Sequence, residues 1–293
     1  MKPRTDNRQP TTGNFFGVLL LSLICVAAAQ EPEPKALVAE ALRTGSGDFG
    51  LSEYTHIQKI TRRDAGRDGK VEVTSSVKEA FVPKGVAPGR RVRWVYVLIE
   101  ENGKPLPADR IEKERIKAGE RLQRAELETA APADASAQEA RAVYFGLQIG
   151  SFLRGLTLNV RTILQHFEFA APRREEIAGR ACLALDFRPP VSRLFTGEEE
   201  YLNRLGGTAW FDLEERVLVK LTGWPVDAPV REGNPYVEYE SLRTPEGKWL
   251  PRRMAIFCDG RKRFFKKEFR DVIAEFSKYE RFGAAIRDVR IND

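Results

Sequence analysis
Two kinds of apolar spacing divide this chain. A helical one comes first. Leu37, Val38, Ala41 and Leu42 recur at steps of three and four, with Gly45 or Gly47 placed to end the turn. Strand-like alternation follows. Residues 52–63 (SEYTHIQKITRR) and 70–82 (KVEVTSSVKEAFV) flank Asp68-Gly69, and residues 91–100 (RVRWVYVLIE) lead into Asn102-Gly103. Both dipeptides accept the positive φ angles of a tight hairpin, so this block predicts an antiparallel meander.

Residues 107–129 (PADRIEKERIKAGERLQRAELET) are rich in Glu, Lys, Arg and Ala and predict an exposed, charged helix. Residues 130–137 (AAPADASA) read as a linker of small residues, so the insertion spans about 107–137. The longest helical stripe is next: Phe145, Ile149, Phe152, Leu153, Leu156, Val160, Ile163, Leu164 and Phe167 share one face. Gly146, Gly150 and Gly155 interrupt it, which predicts close packing against another element or a break into shorter helices. Strand signals resume at residues 179–187 (GRACLALDF). They continue through a hairpin turning at Asp212–Glu215, a second turning at Thr244–Gly247, and a last stretch ending at Phe282. Roughly ten strands, mostly in hairpins and without βαβ alternation, predict an α+β fold. Its expected form is a large curved antiparallel sheet, an unclosed barrel, with helices packed on the concave face as a lid.

The amino terminus bears on location. Lys2, Arg4 and Arg8 precede an apolar run (GVLLLSLICVAAA) that ends in Ala27-Ala28-Ala29. This is the three-part pattern of a removable export signal, cleaved after Ala29. The run is short for a membrane span, and a retained anchor is the alternative. Ile24 before Cys25 argues against lipidation of that cysteine. The expected organisation is a signal peptide at 1–29 and a single domain at 30–293, acting in the periplasm with no membrane span after signal removal. The formal net charge of +6 falls a little with the signal, and the excess collects in the C-terminal third. That region suits anionic headgroups or an acidic partner, or is simply a solvated face. Export argues against nucleic acid as a partner. Cys182 and Cys258 remain after cleavage, and an oxidising compartment permits a bridge, two buried small hydrophobes being the alternative.

Catalytic motifs are scarce. The two histidines, His56 and His166, lie outside any ligand-spaced cluster and read as surface or capping residues. No GxSxG elbow occurs. Cys258 has Arg261 and Lys262 nearby but no close histidine. Asp212, Glu214 and Glu215 fall in a turn and Glu198–Glu200 in a loop, and a glycosidase would need two carboxylates at a fixed separation. The expectation is a protein without enzymatic activity, cofactor or metal.

The second strand block carries a resemblance. Its ordered segments are FEFAAPRREEIAGRACLALDFRPP, GGTAWFDLEERVLVKLTG and YESLRTPEGKWLPRRMAIFCDGRKRFFKKEFRDVIAEFSKYERF. The order is a Gly-Arg strand, a Pro-rich loop, a Gly-x-x-Trp-aromatic-Asp hairpin, a Trp-Leu-Pro strand and an aromatic last strand. It resembles the LolA/LolB-like envelope proteins and their outer membrane lipoprotein-sorting relatives. The N-terminal half fits in element order only. The resemblance implies an unclosed barrel holding acyl chains in an apolar hollow. It also implies that the helix over Phe145–Phe167 is a lid and that there are no catalytic residues. The implied lining is Trp94, Phe145, Ile149, Phe152, Leu153, Leu156, Trp210, Trp249 and Phe257. Burying acyl chains gains about 0.8 kcal/mol per CH₂, so such a site needs no polar motif.

Three functions follow in order: a binder or carrier of lipid or acylated protein, an envelope interaction module whose hollow is filled by its own helix, and a lipid- or carbohydrate-active enzyme.

Overall fold
Helix α1 (Pro34–Arg43) opens the fold in the computed structural model. Proline suits its first turn, where the N–H has no helical partner. Leu37, Val38 and Ala41 make the buried stripe, and the Thr44 hydroxyl donates to the carbonyls of Glu40 and Ala41 at the far end. The structure describes residues 32–44, 54–65, 70–82, 94–130, 147–148, 157–158, 160–226, 236–262 and 266–281.

The order continues β1 (Tyr54–Ala65), β2 (Val71–Phe81), β3 (Val95–Glu101), β4 (Lys104–Pro105) and α2 (Ala108–Ala130). Next come β5 (Leu147–Gln148), β6 (Thr157–Leu158), α3 (Val160–His166), β7 (Glu168–Ile177) and β8 (Arg180–Arg188). A 3₁₀ turn (Gly197–Arg204) leads to β9 (Leu205–Asp212), β10 (Leu218–Pro225), β11 (Val237–Arg243), β12 (Trp249–Lys262) and β13 (Lys266–Arg281). Eleven strands form one antiparallel sheet in the order β4-β3-β2-β1-β13-β12-β11-β10-β9-β8-β7. It is not closed, and β4 and β7 are its edges. The last strand lies in the middle, paired on one side with β1 and on the other with β12.

Turn chemistry sets the hairpins. Asn102 (φ 51) and Gly103 (φ 75) both take the positive angles of a type I′ turn, and the Asn102 side chain accepts from the Ser75 N–H. Ala178 (φ 51) and Gly179 (φ 78) do the same between β7 and β8. The helix expected over 145–167 is shorter: residues 147–148 and 157–158 pair as strands, and the helix covers only Val160–His166. Three glycines in that stretch, each costing about 1 kcal/mol against Ala in a helix, account for the break.

Two apolar clusters hold the sheet. The larger joins one face of β8–β13 to α1 and α3: Leu183, Leu185, Phe187, Phe211, Tyr239, Met254 and Ile256 meet Leu37, Val38, Ile163 and Leu164, all buried. This is the core face, and α1 and α3 cover it as expected of a lid. The smaller cluster puts Ala118 and Leu122 of α2 against Phe81, Val95 and Val97. Phe81 and Val95 are register partners, next to Ala80, which pairs with His56. His56 packs on Phe276 of the core face. Strand residues alternate between faces, so α2 covers the opposite side of β2–β3. The charged helix is therefore half-docked rather than fully exposed.

His56 corrects another expectation. It is 3% exposed, with its ring 4.9 Å from Trp94, 5.6 Å from Phe276 and 5.5 Å from Tyr279. Its ring nitrogens have no close hydrogen-bond partner beyond a weak one on the Tyr54 backbone. Burial drives its pKa from 6.5 down to about 4, against a smaller opposing pull from the Tyr54 backbone. Because the folded value lies below the unfolded one, this residue's contribution is complete above pH 6.5 and drains away as the pH falls toward 4. We expect about 2 kcal/mol of stability to be lost through His56 between pH 7 and pH 5. Urea unfolding should show His56→Leu without that component, and equal pH slopes in the two proteins would refute the assignment.

Gly207 marks the tightest approach between strands. A Cβ there would run into the Thr222 carbonyl oxygen and stand 2.7 Å from Phe187 Cζ. We expect Gly207→Ala to destabilise the fold by about 2–3 kcal/mol, read as a lowered urea midpoint with unchanged slope.

Candidate ligand-binding face
Alternation assigns the neighbours of the core positions to the outer face, and that face is polar. Asp186 receives both terminal nitrogens of Arg173 at 2.9 Å and the Thr208 hydroxyl at 2.9 Å. Hydrogen bonding from Arg173, against a smaller cost of burial, holds its carboxyl below the ordinary range. Asp212 is 1% exposed, accepts from Arg180 Nε at 2.5 Å, and takes the backbone N–H groups of Glu214 and Glu215. Burial alone would raise Asp212, but Arg180 and these amides together hold it low. The acidic turn Asp212–Glu215 is thus a structural clasp around a guanidinium.

Trp210 and Trp249 belong to this polar system. Trp210 lies between the core residues Ala209 and Phe211, so it faces outward, where its N–H donates to Glu175 at 2.7 Å and Lys220 sits over its ring. Trp249 donates to Glu215 at 2.8 Å, with Arg180 over its ring. Phe257 follows the core residue Ile256 and pairs with Asp271, again on the outer face. Among the described residues of the expected lining, only Trp94 packs against the core cluster. Phe145, Ile149, Phe152, Leu153 and Leu156 lie outside the described residues.

The core face itself is uneven. Where α1, α3 and Leu158 of β6 join the core cluster it is sealed, with Leu183, Leu185, Phe187, Phe211 and Ile256 fully buried. At β1–β3 it is half-buried, where Ile60, Ser76, Lys78, Tyr96 and Leu98 keep part of their surface in solvent. Register sets the side chains there in rows. Gln58, Lys78 and Leu98 form one; His56, Ala80 and Tyr96 form the next. Lys78 Nζ lies 5.6 Å from the centre of the Tyr96 ring, a cation–π contact. Burial, then the positive charge of Arg62, lowers the Lys78 pKa, and burial pushes the Tyr96 hydroxyl up to about 12. Tyr279 closes the patch on β13, its hydroxyl donating to the Pro251 carbonyl at 2.5 Å. The strand alternation Tyr54-x-His56-x-Gln58-x-Ile60 could have revealed this row, but a histidine among polar neighbours reads as exposed.

Little here suits bond-making chemistry. Cys182 is free, buried and on the outer face, and burial pushes its thiol up to about 11. Its strand β8 is separated from β12, which carries Cys258, by β9, β10 and β11. At about 4.8 Å per strand that spacing is far beyond a disulfide's reach along the sheet. Among the described residues no cluster of three or more His, Cys, Asp or Glu could hold a metal ion, and no helix is long and apolar enough to cross a membrane. His166 Nδ1 lies 3.0 Å from Arg193 at the end of α3.

No family model and no curated protein matches the chain. It is similar to several solved structures. An outer membrane lipoprotein-sorting protein domain from Vibrio parahaemolyticus matches at 9% identity and a TM-score of 0.37, covering 87% of this chain and 94% of that one. A LolA superfamily protein from Nitrosomonas europaea matches at 8% and 0.34, covering 89% and 98%. A DUF1329 family protein from Desulfovibrio piger matches at 13% and 0.35, covering 88% and 98%. At such TM-scores the fold assignment rests on the strand order and packing of the chain itself: an unclosed eleven-stranded sheet with a helical cover.

Proposed function
We propose that this chain is an exported, non-catalytic binding protein that holds the apolar part of an amphiphile, a lipid or the acyl chain of a lipoprotein, on the core face of its open sheet. The observation that carries the reading is the unevenness of that face. Its β8–β12 portion is buried where α1, α3 and Leu158 of β6 join the core cluster, whereas its β1–β3 portion keeps an aromatic and aliphatic surface partly in solvent. An apolar surface of this kind gains free energy from any chain laid across it, about 25 cal/mol for each Å² removed from water. The export signal at 1–29 supports action in the periplasm, where such ligands pass between membranes.

The sealed portion favours a second reading, an envelope interaction module that binds a protein and carries no ligand. Its residues are already satisfied by the chain's own helices.

Protein purified from the periplasm without detergent separates the two. Native mass spectrometry and organic extraction should recover acyl lipid, and delipidated protein should gain melting temperature on its return. Empty protein that gains nothing from added lipid would favour the interaction module. The intact mass of the same preparation should correspond to a chain beginning at Gln30. A mass that includes residues 1–29 would refute removal of the signal.

A further inference from the structure
Lys78 is a cation in a place that costs it solvation. It stands on the core face of β2, half-buried, between Gln58 on β1 and Leu98 on β3. Its one recorded contact is the Tyr96 ring, and no carboxylate lies within ion-pair distance among the described residues. Arg62, two rows away on the same face, adds positive charge. Across from the next row, Glu101 pairs with Ser76 but forms its ion pair with Arg110 of α2 at 3.7 Å. The side chain of Gln58, 8% exposed, has no hydrogen bond among the described residues. One residue row further in, His56 is buried with no close partner for its ring nitrogens beyond a weak one on the Tyr54 backbone. A neutral imidazole offers one donor and one acceptor, and leaving such groups unmatched costs roughly 1–3 kcal/mol. Three neighbouring strands thus supply a cation, an amide, a phenol and an imidazole, while Ile60, Leu98 and Trp94 provide apolar flanks.

We propose that this patch is a headgroup site for a singly charged anionic amphiphile. Lys78 is its counter-ion, Gln58 and Tyr96 are its neutral hydrogen-bond partners, and His56 is the buried polar end reached past Trp94. The ligand's chain lies over the half-buried apolar surface of β1–β3. This rests on the reading of the core face as a lipid-binding surface and adds the class of ligand. One cation fits one negative charge, as carried by a fatty-acid carboxylate or a phospholipid phosphodiester. A charge-assisted contact of this kind discriminates strongly against an uncharged analogue, because without the anion Lys78 remains unpaired.

The test uses the delipidated mature chain and competition against a fluorescent fatty-acid probe, with palmitate, methyl palmitate and phosphatidylglycerol as competitors. We expect an anion, palmitate or phosphatidylglycerol, to bind at least about tenfold more tightly than methyl palmitate. Lys78→Met should abolish that preference while leaving the ester's Kd within about twofold, and Lys78→Arg should retain it. Loss of preference for palmitate alone identifies a carboxylate site, and loss for phosphatidylglycerol alone a phosphodiester site. If the ester binds but Lys78→Met leaves the anion preference intact, the headgroup site is overturned and the apolar surface stands. If none of the three binds, both fall. Circular dichroism melting of each variant establishes that the fold is retained.

Discussion
The pairing of β1 with β13 is the joint on which the fold depends. Every other neighbour pair in the large sheet joins strands consecutive among its members, but this one brings Tyr54 opposite Arg281 and Asp64 opposite Arg270. Without it there would be two separate meanders, each with half a core face. With it, Phe276 and Ala274 stand beside His56 and Ile60, and the apolar surface of β8–β13 is carried on to β1. Such a contact, spanning most of the chain, raises the contact order and so slows folding.

A sheet this wide has two faces with different solutions to the same problem. The core face is covered by the chain's own helices over one portion and left half-open over the other. The outer face is covered by α2 at β2–β3 and by its own side chains over β7–β10. Arg173, Asp186 and Thr208, then Arg180, Asp212 and Glu215, tie neighbouring strands through charge-assisted bonds, and the long stems of Arg and Lys lie over Trp210 and Trp249. Cys182 and Ala184 are buried beneath this layer.

The hairpins were legible because their turns have chemistry. Asn102-Gly103 predicts its own φ angles, and the Asp212 turn is capped by its own carboxylate. Helices α1 and α2 were legible from spacing and composition. Strand β7 was not, since an edge strand of Glu and Arg with nearly every residue exposed shows no alternation. The tryptophans were misleading for a physical reason. Their apolar bulk argues for the hollow, but an indole N–H needs a partner, and on β9 and β12 the partners Glu175 and Glu215 are on the polar side. The half-open patch at β1–β3 was invisible for the opposite reason. Its members, a histidine, a glutamine and a lysine, read as solvent-facing until register aligns them with Phe276.

Both free edges of the sheet carry proline. Pro105 ends the two-residue β4, and Pro172 interrupts β7 where the register with β8 shifts and Ala171 takes φ 52. Proline lacks the N–H that a new strand would require, and the kink at Ala171 turns the ladder out of line. At these two points a further strand finds no N–H to pair with, which disfavours closing the cylinder or grafting on a strand from another molecule there. The prolines thus tilt recognition toward side chains on a face, where shape and charge can discriminate.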